Sequence, residues 1–181
     1  MTERLLALDT AALDAIQGMR CAFLDAVMPF ISKLGDGGAI WIALTLVLML
    51  FRKTRRTGYM LALSLVLGLL IGNLTLKPLL ARVRPYDANP DFVLLIDRLS
   101  DYSFPSGHTL ASFEAAAVLL MQYRAKAVPA LVLALLIAFS RLYLYVHYPS
   151  DVLAGALLGV AFACIARAAV KRMTARSRIE L

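Results

Sequence analysis

The residues best suited to chemistry in this sequence lie at Phe104–Thr109, which reads Phe-Pro-Ser-Gly-His-Thr and directly precedes an apolar run. Pro105 ends any upstream helix because it lacks an N–H, and Ser106 is a favourable residue at the start of a new helix. A helix that begins here presents unpaired N–H groups and the positive end of its dipole, which favour an anion. His108 adds a titratable imidazole. The segment therefore predicts an anion site with an acid or base beside it, although a capped helix with an incidental histidine is the simpler alternative.

A second set of polar residues interrupts apolar sequence, where a charge is costly unless it is paired or hydrated. The set comprises Lys77, Arg82, Arg84, Arg141, His147 and Asp151. Each has an ordinary explanation. Lys77 and Arg82 could extend to lipid headgroups. Arg141 could pair with Asp151, and His147 could belong to an interfacial aromatic belt. Glu114, in the middle of a predicted helix, is expected to make a structural hydrogen bond.

Taken together, these cations, the two histidines and the helix N-terminus suit a tetrahedral phosphate. Arginine binds phosphate oxygens with two parallel hydrogen bonds, and lysine adds a point charge. Two histidines can supply a nucleophile and an acid, and Asp151 can orient one of them.

The composition is that of an integral membrane protein. Of the 181 residues, 61% are hydrophobic, against about 45–50% in soluble domains. The net charge is +7, but the basic residues cluster between apolar runs, which indicates membrane topology rather than a nucleic-acid partner. Cys21 and Cys164 are far apart and there are two histidines, so a structural zinc site is not expected. The sequence predicts one membrane domain over residues 1–181.

The apolar runs predict an all-α, polytopic membrane helix bundle with five or six transmembrane helices. The five strongest predicted spans are Ala39–Phe51, Gly58–Leu76, Thr109–Tyr123, Val128–Val146 and Val152–Ala168. Residues 3–18 predict an amphipathic, interfacial helix. Residues 21–34 are too short to cross comfortably, since a span needs about 20 residues, and we interpret them as a short, re-entrant or tilted helix. Residues 1–36 thus form amphipathic and short helices, residues 37–171 the catalytic bundle and residues 172–181 a cytoplasmic tail.

The charges also predict the orientation of the bundle. Basic residues occupy alternate loops and the C-terminal segment: Arg52, Lys53, Arg55, Arg56, Arg124, Lys126, Arg167, Lys171, Arg172, Arg176 and Arg178. The other loops carry aspartates: Asp36, Asp87, Asp91, Asp97, Asp101 and Asp151. Cytoplasmic loops are enriched in lysine and arginine. We therefore expect the C-terminus to be cytoplasmic and the Phe104–Thr109 segment to face outward.

Three segments, in order and with matching spacing, resemble the signature motifs of the type 2 phosphatidic acid phosphatase superfamily. They are Lys77-x6-Arg84-Pro85, Pro105-Ser106-Gly107-His108 and Ser140-Arg141-x5-His147-x3-Asp151. No fixed position departs from the pattern. The resemblance extends from about Lys77 to Asp151, and the amino-terminal third carries no motif.

The resemblance implies a role for each motif residue. His147 would attack phosphorus and form a phosphohistidine, and Asp151 would hold its ring. His108 would protonate the leaving lipid oxygen and then activate water. The phosphoryl oxygens would be bound, without a metal, by Lys77, Arg84, Ser106, Gly107 and Arg141.

The implied function is dephosphorylation of a membrane lipid at the outer leaflet of a bacterial inner membrane. Undecaprenyl diphosphate is the first candidate, by analogy, and phosphatidic acid or phosphatidylglycerol phosphate is the alternative. A non-catalytic phospholipid-binding protein is a second class, although a binder would need the cations and not the two histidines with Asp151. Vanadate haloperoxidases share the motifs, but they are soluble. The sequence leaves tail selectivity, the choice between monophosphate and diphosphate, and the oligomeric state open.

Overall fold

The computed structural model describes residues 3–176, and all regular secondary structure in that range is helical. The helices are α1 (Glu3–Gln17), α2 (Ala22–Leu34), α3 (Ala39–Leu50), α4 (Arg55–Leu67), α5 (Lys77–Leu80), α6 (Pro85–Ala88), α7 (Gly107–Tyr123), α8 (Val128–Tyr143) and α9 (Pro149–Arg176). A π-helical stretch, Gly68–Leu76, joins α4 to α5. The predicted all-α class is confirmed. The last five residues of the predicted tail, 177–181, lie outside the described residues.

Helix α7 is the centre of the bundle and packs against α4, α8 and α9. Helix α9 comes especially close because Gly155 and Gly159 face α7. A Cβ atom added at Gly155 would lie 2.8 Å from the Ser106 carbonyl oxygen, and one at Gly159 would lie 2.7 Å from that of Leu110. Any side chain at these two positions would push the helices apart. The contact fixes the second motif against the end of the third.

Within residues 3–176, three stretches are long and apolar enough to cross a membrane: Arg55–Ala88, Gly107–Tyr143 and Pro149–Ala175. The second consists of two helices, α7 and α8, which pack on each other after the chain turns at Arg124–Ala127. Helix α2 and the Asp36–Leu50 segment form a pair bent by 41°, which passes the same test as one broken span. At 13 residues, α2 is short, as predicted for residues 21–34, and the bent pair is either a broken span or a re-entrant loop.

Helix α1 packs against α8 and α9. Its apolar residues Leu5, Leu6 and Leu8 are exposed, as expected for an interfacial helix, whereas Leu13 and the charged Asp9 are buried. The amphipathic pattern did not predict that a carboxylate would lie on the protein-facing side.

The connection from α8 to α9 is a tight and strained turn. Tyr145 has a φ of 60°, a backbone conformation that side chains other than glycine rarely adopt. Its ring stacks on Phe92, with centroids 4.0 Å apart, which helps to hold this conformation. Strained residues of this kind concentrate at functional sites, and His147 follows two residues later.

Candidate active site

One cavity of about 630 Å³ brings the three motif segments together. Its polar end is lined by Lys77, Arg84, Gly107, His108, Arg141 and His147. The two other predicted site residues, Ser106 and Asp151, are fully buried behind this lining. The hydroxyl of Ser106 accepts a hydrogen bond from Thr109 at 3.0 Å, and its backbone N–H donates to the Asp151 carbonyl at 3.2 Å. Ser106 is therefore placed to hold the first turn of α7, and its predicted contact with phosphate stays a prediction.

Arg84 is almost fully buried and contacts five acceptor groups, one of which is the Tyr102 carbonyl at 3.1 Å from Nη2. Its Nε and Nη2 atoms bond the Asp101 carbonyl and carboxylate at 2.8 and 2.5 Å, and Nη1 bonds the Val146 carbonyl at 2.6 Å. Nη1 also lies 3.3 Å from Nε2 of His147. A guanidinium can only donate, so Nε2 of His147 must accept. This contact places the His147 proton on Nδ1 and directs the lone pair of Nε2 to Arg84 at the cavity wall. Attack on an electrophile therefore requires Nη1 of Arg84 to release that lone pair.

His147 is 1% exposed. Burial, followed by the charges of Arg84, Arg141 and Lys77, holds the pKa of its imidazole well below the ordinary 6.5. The ring is therefore neutral at physiological pH, which is the form that can attack an electrophile.

Asp151 lies behind His147, with Oδ2 at 3.8 Å from Nδ1. The carboxylate is held by the hydroxyl of Ser103 at 2.5 Å, by the backbone N–H of Tyr148 at 2.9 Å and by the guanidinium of Arg82. Arg141 does not form the alternative pair with Asp151. Arg82 does not have the environment of a residue that reaches headgroups, because its side chain is only 10% exposed and lies between carboxylates.

Arg141 is 1% exposed, and its Nη1 donates to the hydroxyl of Ser32. Its Nε and Nη2 atoms have no hydrogen-bond partner within the described part of the chain. Buried donors are normally satisfied. The free edge of this guanidinium, at the cavity wall, is suited to an incoming anion.

Two aspartates that the sequence did not single out contact the predicted site residues. Asp101 binds both Lys77 and Arg84 at 2.5 Å. Its partial burial would raise the pKa of its carboxyl, but the hydrogen bonds and charges of Lys77 and Arg84 outweigh that effect and lower the pKa to about 2. Asp36 lies 2.8 Å from Nε2 of His108. Neither aspartate belongs to a motif, and an isolated Asp in a polar loop carries no recognisable signal.

The other end of the cavity is apolar and runs between α3 and α4. Its walls include Ile42, Leu46, Met49, Leu65, Val66 and Leu69. Glu114 also lines it, and its carboxyl oxygen accepts a hydrogen bond from the Ser64 hydroxyl at 3.2 Å. The structural hydrogen bond expected for Glu114 is therefore present. A polar head and a long apolar tail could occupy the two ends of this cavity at once.

The family model described as the PAP2 superfamily matches residues 56–175. An undecaprenyl-diphosphatase from Sulfolobus acidocaldarius is 39% identical over 140 residues, which cover 76% of this chain and 66% of that protein. A lipid A 4'-phosphatase from Bacteroides thetaiotaomicron is 31% identical over 173 residues, covering 88% of this chain and 75% of the relative. The chain thus spans about two thirds to three quarters of the length of these relatives.

The fold also resembles a solved structure. The first transmembrane PAP2 type phosphatidylglycerolphosphate phosphatase from Bacillus subtilis superimposes with a TM-score of 0.77 at 28% identity, covering 94% of this chain and 88% of that one.

Proposed function

Because this chain belongs to the PAP2 superfamily of membrane lipid phosphatases, we propose that it hydrolyses a membrane lipid phosphate or diphosphate through a phosphohistidine on His147. The observation that carries this proposal is the cavity with two chemically different ends. Lys77, Arg84, Arg141 and Nε2 of His147 meet at one end, and an apolar cleft between α3 and α4 continues from them. This arrangement fits a phosphate attached to a hydrocarbon.

In the first step, Nε2 of His147 forms a bond to phosphorus while the bond from phosphorus to the leaving oxygen breaks. The three cations and the N-terminus of α7 stabilise the negative charge on the phosphoryl oxygens, which is the main requirement of phosphoryl transfer. His108 gives its proton to the leaving oxygen. This oxygen belongs to the lipid alcohol for a monoester and to the lipid monophosphate for a diphosphate.

In the second step, His108 takes a proton from water as the water oxygen attacks the phosphohistidine. The bond between phosphorus and Nε2 breaks, which releases inorganic phosphate and restores the neutral ring of His147. Asp151, behind Nδ1, stabilises the positive charge that the ring carries while it is phosphorylated. The role of a metal is taken by the arginines and the lysine.

The anion preference of the site is supported by Asp101, whose carboxylate already bridges Lys77 and Arg84. A phosphoryl group that binds these two cations would exchange with that carboxylate. Orthovanadate, which mimics the transition state of phosphoryl transfer, is expected to inhibit by the same exchange.

Undecaprenyl diphosphate is the proposed substrate, supported by the similarity to the undecaprenyl-diphosphatase of Sulfolobus acidocaldarius. Phosphatidylglycerol phosphate is the second candidate, supported by the similarity to the phosphatidylglycerolphosphate phosphatase of Bacillus subtilis.

A panel of undecaprenyl diphosphate, phosphatidylglycerol phosphate and phosphatidic acid in detergent, scored by kcat/KM of phosphate release, tests this choice of substrate. Equal values for all three would contradict a preference for the polyprenyl diphosphate, and equal release by wild type and His147→Ala would end the proposed mechanism.

We further propose that the site faces the outer leaflet and that the C-terminus is cytoplasmic. The support is the distribution of charge. The basic α3–α4 and α7–α8 loops lie together, joined by a 3.0 Å hydrogen bond from Tyr123 to Thr57, at the end of the bundle away from the motif residues. Cys21 is exposed near the site end, where its backbone N–H meets the hydroxyl of Tyr143. In a Cys164→Ser background, a membrane-impermeant maleimide should label Cys21 in intact cells. If Cys21 were labelled only after the cells are lysed, the site would face the cytoplasm and the proposed orientation would be wrong.

A further inference from the structure

Arg82 lies between two motif cations in sequence, yet its guanidinium points away from the cavity into a buried cluster of polar groups. The cluster consists of Asp9, Arg82, Ser103, Tyr148, Ser150 and Asp151. Asp9 and Asp151 are 3% and 0% exposed, and the side chain of Arg82 is 10% exposed. A carboxylate buried in this way is destabilising unless it is paired and hydrogen-bonded. The contacts of Asp9 therefore call for an explanation.

Asp9 comes from α1, and the side-chain partners of its carboxylate, Arg82 and Ser150, lie far from it in sequence. Its Oδ2 atom lies 2.7 Å from Nη2 of Arg82 and accepts the hydroxyl of Ser150 at 2.5 Å. Its Oδ1 atom accepts the backbone N–H of Ser150 at 2.9 Å. Asp9 thus holds both Arg82 and the first turn of α9, one residue before Asp151.

The other edge of the same guanidinium holds the carboxylate behind His147. Nη1 of Arg82 bonds Oδ1 of Asp151 and lies 2.7 Å from the hydroxyl of Ser150. The ring of Tyr148 lies under the guanidinium, with its centroid 4.0 Å from Cζ. These contacts fix Arg82 on three sides. They leave Oδ2 of Asp151 turned toward Nδ1 of His147.

The charges of the cluster add a second argument. One guanidinium between two carboxylates leaves a net charge of −1 beside the His147 ring. Replacing Asp9 by asparagine would leave Arg82 paired with Asp151 alone, so the cluster would be neutral. A neutral cluster stabilises the cationic ring of a phosphohistidine less well than an anionic one does.

We propose that Asp9 is a positioning residue for catalysis. It acts through Arg82 to fix the Asp151 carboxylate behind His147, and its own charge makes the cluster around Arg82 anionic. Helix α1 lies outside the family match at residues 56–175 and outside the predicted catalytic bundle of residues 37–171, yet it completes the nucleophile's surroundings. The kinetic part of this inference rests on the proposed role of His147, whereas the structural link from Asp9 to the His147 ring does not.

The test that is independent of activity uses the two histidines of the chain. Ring-¹⁵N-labelled histidine gives two imidazole spin systems, which His108→Ala assigns. Asp9→Asn should change the ring nitrogen shifts and the tautomer balance of His147 while leaving those of His108 unchanged. Asp14→Asn removes an exposed carboxylate of the same helix and should change neither. His147 signals that are identical in all three proteins would overturn the proposal, and so would equal changes at both histidines, which indicate general loosening.

The kinetic test compares the same variants on the lipid substrate that wild type hydrolyses fastest. Asp9→Asn should lower kcat about tenfold with KM within about twofold, because Asp9 is not among the residues that line the cavity, and Asp9→Glu should recover part of the loss. A kcat equal to that of Asp14→Asn would refute the positioning role. If wild type releases no phosphate from any lipid, the proposed function fails while the nitrogen shifts still decide the role of Asp9.

Discussion

The two imidazoles of the cavity have opposite surroundings. His147 is buried, and its carboxylate partner Asp151 is fully buried and held by three donors. The side chain of His108 is 18% exposed, and its partner Asp36 is 61% exposed. A nucleophile gains from a fixed position in line with the bond that breaks. An acid that later acts as a base must exchange protons with a leaving group and with water. Such a residue therefore needs some access to solvent. The difference supports the assignment of His147 as nucleophile and His108 as acid and base.

The largest expected effect is the loss of the fixed imidazole. His147→Ala removes the atom that would bond to phosphorus, so phosphate release should fall by on the order of 10⁵-fold or more. Acid-labile radioactive phosphate trapped on wild type after a rapid quench should be absent from this variant. If labelled phosphate were trapped on the His147→Ala variant, or on His108 of the wild type, His108 would be the nucleophile and His147 the acid and base.

Loss of the more exposed imidazole should have a smaller effect that depends on the leaving group. His108→Ala should lower phosphate release from a lipid monoester by about 10²–10⁴-fold. An aryl phosphate with an acidic phenol needs no proton to leave, so its first step should slow much less. The measurement is the ratio of single-turnover rates for the two substrates in each protein. An unchanged ratio between wild type and His108→Ala would show that His108 is not the acid.

Removing the charge of Asp36, the exposed partner of His108, should lower activity less than the loss of His108 does. Asp36→Asn leaves a hydrogen bond to Nε2 of His108 but removes its charge, and we expect kcat on a lipid monoester to fall about threefold to tenfold. Asp97→Asn, which changes a carboxylate that lines the same surface pocket as Asp36, is the matched control. If Asp36→Asn cost as much as His108→Ala, the loop aspartate would have a direct chemical role.

The buried imidazole of His147 should also stay unprotonated at mildly acidic pH. Since burial and three neighbouring cations lower the pKa of His147, its neutral form should persist as the pH falls, whereas a group with the ordinary pKa would be about nine-tenths protonated one unit below it. The ring nitrogen shifts of His147 should therefore remain those of a neutral imidazole at about pH 5.5. A midpoint near the ordinary pKa of about 6.5 would indicate a solvated site.

The smallest expected effect is that of a chelator. If the two imidazoles act as nucleophile and acid rather than as metal ligands, phosphate release should be unchanged in EDTA. Added Mg²⁺ should then cause no increase in phosphate release. A strict requirement for Mg²⁺ would assign the charge stabilisation to a metal and not to Lys77, Arg84 and Arg141.

The outcome at individual residues shows why prediction succeeded in some places and failed in others. The helix start at Gly107 follows from a local signal, Pro105 and Ser106 before an apolar run, and the spacing of the motifs identified the family that the match at residues 56–175 confirms. The last helix begins at Pro149, three residues before the predicted start at Val152. Contact with headgroups was an ordinary explanation for Arg82, because it follows the end of a predicted span. Its actual partner, Asp9, is 73 residues away, and no local pattern encodes such a contact.

The sequence by itself determined the membrane class, the all-helical architecture and the order of the three motifs, because hydrophobic length, helix signals and motif spacing are properties of neighbouring residues. Only the tertiary structure decided which carboxylate serves which cation or imidazole: Asp101 for Lys77 and Arg84, Asp36 for His108, and Asp9 for Arg82. Aspartates look alike along a chain. Their roles are set by the packing of α1, α2 and the long loop around α7, which brings together charges that lie far apart in sequence.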